Sequence, residues 1–392
     1  MSKIEELIEK LCPNGVEWKE LGEVCEILDN KRKPITKKDR IMGEYPYYGA
    51  NGIQDYVVDY IFDGTFLLVG EDGSVLRNDN SPFLNWAVGK IWVNNHAHVL
   101  SEKRGILLRY LYFVLQTINI AHLIKGTPPK LNQQNLRSIK IPIPPLEIQE
   151  EIVHILDSFT ELTAELTAEL TARRKQYEFY RDSLLTFGDE VERVKLKDVA
   201  TIIRGGNFQK KDFRDKGFPC IHYGQIYTKY GMIIRDTINF VEEKIFEKSK
   251  RAQKNDIIMA ITSENIEDVC KCLVWMGDED VAISGHTAII KHNQDPSYLA
   301  YYFNTEMFFK QKLRLAHGTK VIEVTPSNLL DIEIPLPPLQ EQERIVSILD
   351  KFDKLCNDIS EGLPAEIEAR KKQYEYYRDK LLTFKNISEH KD

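Results

Sequence analysis

"KQYEFYRDSLLTF" at residues 175–187 returns as "KQYEYYRDKLLTF" at 372–384, identical at 11 of 13 positions. Working outward, "IKIPIPPLEIQEEIVHILDSF" (139–159) returns as "IEIPLPPLQEQERIVSILDKF" (332–352). Fainter echoes lie further upstream: "YLYFVLQT" (110–117) against "YLAYYFNT" (298–305), "HLIKGTPP" against "RLAHGTKV", and "VEWKELGEV" against "VERVKLKDV" (191–199). A repeat of this kind fixes the architecture, because each copy must build the same supersecondary unit. The chain is two copies of a globular segment of roughly 125–145 residues followed by a helix of about 40.

Each helix is announced by two prolines, Pro144 and Pro145 or Pro337 and Pro338, whose fixed φ suits a first turn that lacks N–H partners. Glutamates follow, near the positive end of the helix dipole. The apolar seam of the first helix runs Ile152, Ile155, Phe159, Leu162, Leu166, Leu170, Arg173, Tyr177, Tyr180, Leu184, Phe187. That of the second runs Ile345, Ile348, Phe352, Leu355, Ile359, Leu363, Ile367, Arg370, Tyr374, Tyr377, Leu381, Phe384. Both are heptad seams with four-residue stutters, and the second has one more stutter. The offset between the copies accordingly changes from 193 to 197 residues. "TAELTAEL" (163–170) therefore reads as a length unit: adding one TAEL keeps the apolar stripe and lengthens the helix by roughly 6 Å. In the second copy "EGLPAE" (361–366), with Gly362 and Pro364, predicts a break or sharp kink.

With 392 residues, 42% hydrophobic and 29% charged, the chain is long enough for two or three domains with cores. No apolar run reaches the length of a membrane span, and "MSKIEELIEKLC" has no signal-peptide core, so a cytoplasmic location without membrane partners is expected. Cys12, Cys25, Cys220, Cys270, Cys272 and Cys356 have neither disulfide-framework nor zinc-ligand spacing, and read as reduced, buried thiols. The net charge of −7 hides local extremes. "KRKPITKKDR" (31–40) carries six basic residues against one acid, and "KIFEKSKRAQK" (244–254) five against one. Residues 147–170 hold seven acids and no Lys or Arg. A nucleic-acid surface needs only such a local excess of positive charge, whereas the acidic helix suits protein partners.

The tandem arrangement, the "IPIPPLEIQEEIVHILD" and "IPLPPLQEQERIVSILD" stretches and the "RKQYEFYRDSLLTF" and "KKQYEYYRDKLLTF" stretches resemble the specificity subunit of type I restriction–modification systems, over essentially the whole chain. The TAEL repeats resemble those of the subgroup in which repeat number sets the gap between half-sites. The resemblance implies an α+β fold with two globular target recognition domains separated by two long antiparallel coiled-coil helices, related by a pseudo-twofold internal repeat. The expected layout is an N-terminal helix (1–14), a first recognition domain (15–140), a central spacer helix (141–187), a second recognition domain (188–332), a C-terminal spacer helix (333–384) and a tail (385–392). It further implies double-stranded DNA as ligand, two modification (methyltransferase) subunits docked on the helices, and restriction/translocase subunits beyond them. The expected target is about three specified base pairs, about six unspecified and about four specified, since helices of about 60 Å suit grooves about one turn apart.

Phosphate clamping calls for Lys and Arg, and base reading for Arg or Lys on guanine and Asn or Gln on adenine. In the first head the candidates are Lys31, Arg32, Lys33, Lys37 and Lys38, the glycine-flanked Tyr47, Tyr48 and Asn51, then Arg77, Asn78, Lys125 and Lys130. In the second they are Arg204, Asn207, Gln209, Lys210 and Lys211, then His222, Tyr223, Gln225 and Tyr227, and Ser263 and Asn265. His96 and His286, at matching places in the two copies, read as structural hydrogen-bonders. No G-x-x-x-x-G-K-[ST] loop is present, "RGGNF" lacks the third glycine of a dinucleotide loop, and the Asn/Asp-Pro-Pro-Tyr/Phe stretch of an amino-methyltransferase is missing. The chain is therefore expected to be non-catalytic, with no catalytic or metal-binding residues and no cofactor of its own. S-adenosylmethionine, ATP and magnesium are expected on partner subunits. Two other readings are a coiled-coil adaptor that does not read DNA, and the specificity subunit of a system whose partner fuses modification and cleavage.

Overall fold

The computed structural model describes residues 3–206, 208–358 and 360–387. Asn207 and Ile359, both singled out above, and the end of the tail at 388–392 lie outside the described residues. The chain divides into two compact units, residues 1–165 with 368–392 and residues 166–367, so each unit contains helical segments from both copies of the repeat.

In the first unit a six-stranded sheet has the spatial order Glu26–Ile27, Ala97–Ser101, Phe62–Gly70, Leu84–Val93, Met42–Gly49, Gly52–Val57. A two-stranded ribbon closes the head, Glu17–Glu20 running antiparallel to Lys140–Ile143. In the second unit a five-stranded sheet has the order Ala200–Arg204, Thr287–His292, Ile257–Ala260, Cys272–Trp275, Ile233–Ile234. A four-stranded sheet lies in the same head, with the order Asn239–Val241, Phe218–Ile221, Val281–Ile283, Lys250–Ala252, and the ribbon recurs as Arg193–Lys195 with Glu333–Pro335.

Strand register exposes a shared kernel. Ile27 and Leu67 both oppose Leu100 in the first head, and Ile202 and Ile257 both oppose Ile290 in the second. These three-stranded kernels superpose residue for residue in pairing, with Leu67 matching Ile257 and Leu100 matching Ile290. Outside the kernel the heads diverge: the first adds the hairpin 42–57, the second an entire extra sheet.

The central helix is continuous over Leu146–Leu184, while its C-terminal counterpart is two helices, Leu339–Asn357 and Leu363–Leu382. The interruption expected at Gly362–Pro364 is thus present. Asp358 caps it, accepting from the N–H groups of Ser360 (2.7 Å) and Glu361 (3.2 Å). Within the second unit Arg174 donates to the Cys356 carbonyl and Tyr180 stacks on Phe352, so residue numbers rise on one helix as they fall on the other and the packing is antiparallel. In the first unit the corresponding stack is Phe159 on Tyr377.

Two buried glutamines seat the helix starts. Gln149 donates to the Pro144 carbonyl (2.8 Å) and accepts from Leu107 N–H (3.0 Å). Gln342 donates to the Pro337 carbonyl (2.8 Å) and accepts from Asp295 N–H (3.1 Å). Both are fully buried and fully bonded, which makes them fixed joints between helix and head. All six cysteines are buried and unpaired; burial pushes the Cys25, Cys220, Cys270 and Cys272 thiols up to about 12, which keeps them protonated and inert. Among the described residues no helix is long and apolar enough to cross a membrane.

Candidate nucleic-acid interface

The matched kernels end in matched turns. In the first head Glu71 N–H donates to the His96 carbonyl (2.8 Å) and Leu131 N–H to the Glu71 carbonyl (2.8 Å). In the second Ile261 N–H donates to the His286 carbonyl (3.0 Å) and Val324 N–H to the Ile261 carbonyl (3.0 Å). A tight loop precedes each of the latter donors, closed by paired backbone bonds between Lys125 and Lys130 in one head and between His317 and Glu323 in the other. Gly126 and Gly318, both at positive φ, make these loops possible. One scaffold therefore presents two loop clusters of different side-chain chemistry.

In the first head this cluster is built around a buried charge network. Arg32 donates to Glu71 Oε2 (2.6 Å) and to the carbonyls of Ala97 (2.8 Å) and Asp29 (3.1 Å). His98 bonds Asp29 through Nδ1 (2.6 Å) and the Leu131 carbonyl through Nε2 (2.8 Å), and Lys130 pairs with Glu71 (3.1 Å). The His98 and Arg32 groups hold the Asp29 carboxyl below the usual carboxylate range against the opposing pull of burial. Asp29, Glu71 and His98 converge closely enough to resemble a metal-ligand set. The Arg32 guanidinium, however, bonds Glu71 and pairs with Asp29, supplying the countercharge, so the group is a structural ion network.

Arg32 and Lys130, candidates as surface cations, are thus held by interior partners. Tyr47 is likewise buried, its hydroxyl accepting from Ile35 N–H (3.0 Å) while the Arg40 guanidinium lies over its ring, and Tyr48 is in the core of the sheet. Lys31, Lys33, Lys37, Lys38, Asn51, Arg77, Asn78 and Lys125 are exposed. Lys31 and Lys33 flank the anchored Arg32, Asn51 tops the Gly49–Gly52 hairpin, and the Arg77–Asn78 turn is tied to residue 120 by Ile120 N–H on the Asn80 carbonyl.

The second head gathers its candidates more tightly. Arg204 donates to the Gly285 carbonyl (3.1 Å) and pairs with Glu323 (3.0 Å). Gly206 packs so closely on Ser249 and Lys250 that an added Cβ would sit 3.2 Å from each, which brings the two basic stretches, 204–211 and 244–254, side by side. Gln209, Lys210 and Lys211 are exposed. Rings then run in series: Phe213 edge-on to His222 (5.9 Å between centroids), His222 against Tyr223 (4.6 Å), Tyr223 against His286 (5.0 Å). Gln225 is buried and committed to His222 N–H (2.9 Å) and Asn239 (2.7 Å), and Tyr227 to the Thr262 carbonyl (2.8 Å). Asn265 donates to Asp268 (2.8 Å) and its N–H reaches Ser263 Oγ (3.5 Å), so both shape a turn.

His96 bonds Asp72, as expected of a structural histidine. His286 corrects the same expectation: it is exposed, and its ring meets Tyr223 with no hydrogen bond among the described residues. The physical reason is that register matching places Thr262 where the first head has Asp72, removing the carboxylate. Lys250 and Arg251, both exposed beside Gly206, and His286 join the surface without having been candidates. The charge excess at 244–254 was the signal for Lys250 and Arg251 in the sequence; His286 had none.

A duplicated α+β scaffold whose two copies carry different basic and aromatic loops, joined to helices by matching glutamine clamps, defines a two-headed nucleic-acid recognition protein. The chain matches the type I restriction modification DNA specificity domain over residues 13–173 and again over 188–369, and it belongs to that family. It is 38% identical over 389 residues to a putative type I restriction enzyme specificity subunit from Haemophilus influenzae, covering 96% of this chain and 98% of that one. It is 31% identical over 416 residues to a type I restriction enzyme specificity subunit from Escherichia coli, covering 98% and 97%. The fold is shared with the S subunit of a type I restriction–modification system from M. genitalium (TM-score 0.58, 14% identity, 94% and 97% covered). It is equally shared with a chain from a study of complex assembly and conformational transition of the type I system (TM-score 0.58, 18% identity, 95% and 98% covered). The chain is accordingly a DNA sequence-recognition subunit that assembles with other restriction–modification subunits, the family leaving catalysis to those partners.

Proposed function

We propose that this chain reads a bipartite duplex target in the cytoplasm, one half-site per head, and docks two modification subunits on its helices, with restriction/translocase subunits joining through them. The observation that carries this reading is the repetition of one loop-bearing kernel with different side chains: a common frame delivers two loop clusters to DNA, and the side chains decide what each cluster reads. The exposed acids of the central helix, among them Glu147, Glu150, Glu161 and Glu165, suit a protein partner and repel phosphate. In this reading the chain carries no cofactor, and S-adenosylmethionine, ATP and magnesium belong to the partners.

The test is exchange of residues 15–138 for the first head of another specificity subunit, in cells carrying the whole system. Sequencing of methylated adenines is expected to show one half-site changed and the other retained. A change in both half-sites, or in neither, would refute independent reading by the heads. Co-purification with two separate modification subunits per chain is expected, and a single fused partner would instead identify the related system.

A further inference from the structure

The second head contains a histidine whose hydrogen-bonding sense is set by the fold. His222 caps the short helix Tyr223–Thr228: its ring Nδ1 accepts from Gly224 N–H (3.2 Å), while its backbone N–H donates to Gln225 Oε1 (2.9 Å). A nitrogen that accepts carries no proton in the neutral ring, so the proton resides on Nε2. Nε2 is bonded to no described residue, and it is not among the buried atoms left without a partner, so it keeps access to solvent. The ring is gripped between Phe213 and Tyr223, which fixes the direction of that N–H. Burial first, then the positive charges of Lys210 and His286, push the imidazole down to about 4, which leaves the ring neutral at physiological pH.

Beside it stands the turn Lys210–Asp212, its two lysines exposed, directly preceding Phe213, whose ring touches His222. The site therefore offers an imidazole donor with no accepting capacity at Nε2 and an ammonium that can only donate. In the major groove guanine presents two acceptors, N7 and O6, on one edge; adenine and cytosine present an amino donor there, and thymine pairs its one acceptor with a methyl group. We infer that His222 is a specificity-determining residue of the second half-site, its Nε2–H and the Lys210 ammonium together selecting a guanine. The inference rests on the reading of this head as a DNA-binding surface and adds the base it selects.

The test uses the whole restriction–modification complex and methylation assays on duplexes carrying its own recognition site, established by methylated-adenine sequencing. The second half-site is expected to contain a guanine at which 7-deazaguanine, lacking the N7 acceptor, or 2-aminopurine, lacking O6, lowers wild-type methylation about tenfold, the share of one bond of a bidentate pair. Asn is the best mimic of the capping atom, so His222→Asn keeps the cap and loses the distal donor. It is expected to relax that one position about tenfold, leave the first half-site unchanged and make the sensitive analogue indifferent; His222→Gln, which reaches further, retains part of the preference. A second half-site without guanine, analogues silent in the wild-type protein, or an unchanged preference in His222→Asn would each overturn the inference while the reading of the head stands. Wild-type complex that methylates without any second half-site sequence would overturn that reading and this inference with it.

Discussion

Arg32 ties together Asp29, Glu71 and Ala97, three segments distant in sequence, and its partners lie 39 and 65 residues away along the chain for the two shortest bonds. In the sequence it is one of six basic residues in a ten-residue run and cannot be told from Lys31 or Lys33, because burial is decided by strand pairing that no local pattern encodes. The run as a whole was legible as positive surface; that its two arginines, Arg32 and Arg40, turn inward was not. Removing this guanidinium leaves Glu71 and Asp29 without their countercharge, so Arg32→Met is expected to destabilise the first head by about 3–5 kcal/mol. Urea unfolding followed by the fluorescence of Trp18, Trp86 and Trp92 measures this. Adding Glu71→Ile, the residue the second head has at the matching place, is expected to recover part of the loss.

His222 gives a second expectation at the same scale. Its folded value lies near 4, below the ordinary 6.5, and burial also lowers His292. Between these limits the unfolded chain takes up a proton that the folded head refuses. Stability is therefore complete above about pH 6.5 and declines as the pH falls toward 4, by on the order of 1–2 kcal/mol for His222 once solvent screening of its partly exposed ring is allowed for. Thermal melts from pH 7.5 to 4.5 should show the second head losing stability, and His222→Asn should flatten the decline; a melt independent of pH would contradict the assignment.

At the scale of elements, the helices are the part most legible in the sequence. A repeat identical at 11 of 13 positions, with apolar residues in three- and four-residue steps, specifies helix, seam and interruption without reference to anything distant. The stacked pairs confirm the bookkeeping of the repeat: Phe159 matches Phe352, Tyr377 matches Tyr180, and both stacks have ring centroids 5.4 Å apart. Gln149 and Gln342 escaped notice because a glutamine in a glutamate-rich first turn looks like solvent-facing helix, and only the carbonyls of the preceding prolines reveal its role. The interruption has its own steric signature. A Cβ on Gly362 would lie 2.6 Å from the Lys354 carbonyl oxygen and 2.7 Å from that of Asp358, and backbone at a helix end has little room to retreat. Gly362→Ala is expected to cost about 1–3 kcal/mol, read as a lowered melting temperature of the second unit.

For the whole molecule the informative variable is helix length. Inserting one TAEL after Leu170 extends a continuous helix of 39 residues by four, about 6 Å, while preserving its apolar stripe. At about 3.4 Å per base pair the unspecified gap in the target is expected to grow by one or two pairs, with both half-sites unchanged. Methylated-adenine sequencing of cells carrying the insertion decides it: altered half-sites around an unaltered gap would end the idea that the helix measures distance. The heads, by contrast, were legible only as variable and locally basic. Their strands are short, and the second head's two sheets alternate along the chain, so neighbours in space are seldom neighbours in sequence.

The ion pairs beneath the two loop clusters have opposite polarity. The first head sets the acid Glu71 against Lys130 of its late loop, and the second sets the base Arg204 against Glu323, which occupies the place of Lys130. A hybrid that took its early strands from one head and its late loop from the other would confront acid with acid or base with base beneath the reading surface. Exchange of whole heads through the near-identical helical tracts that bracket them avoids this mismatch.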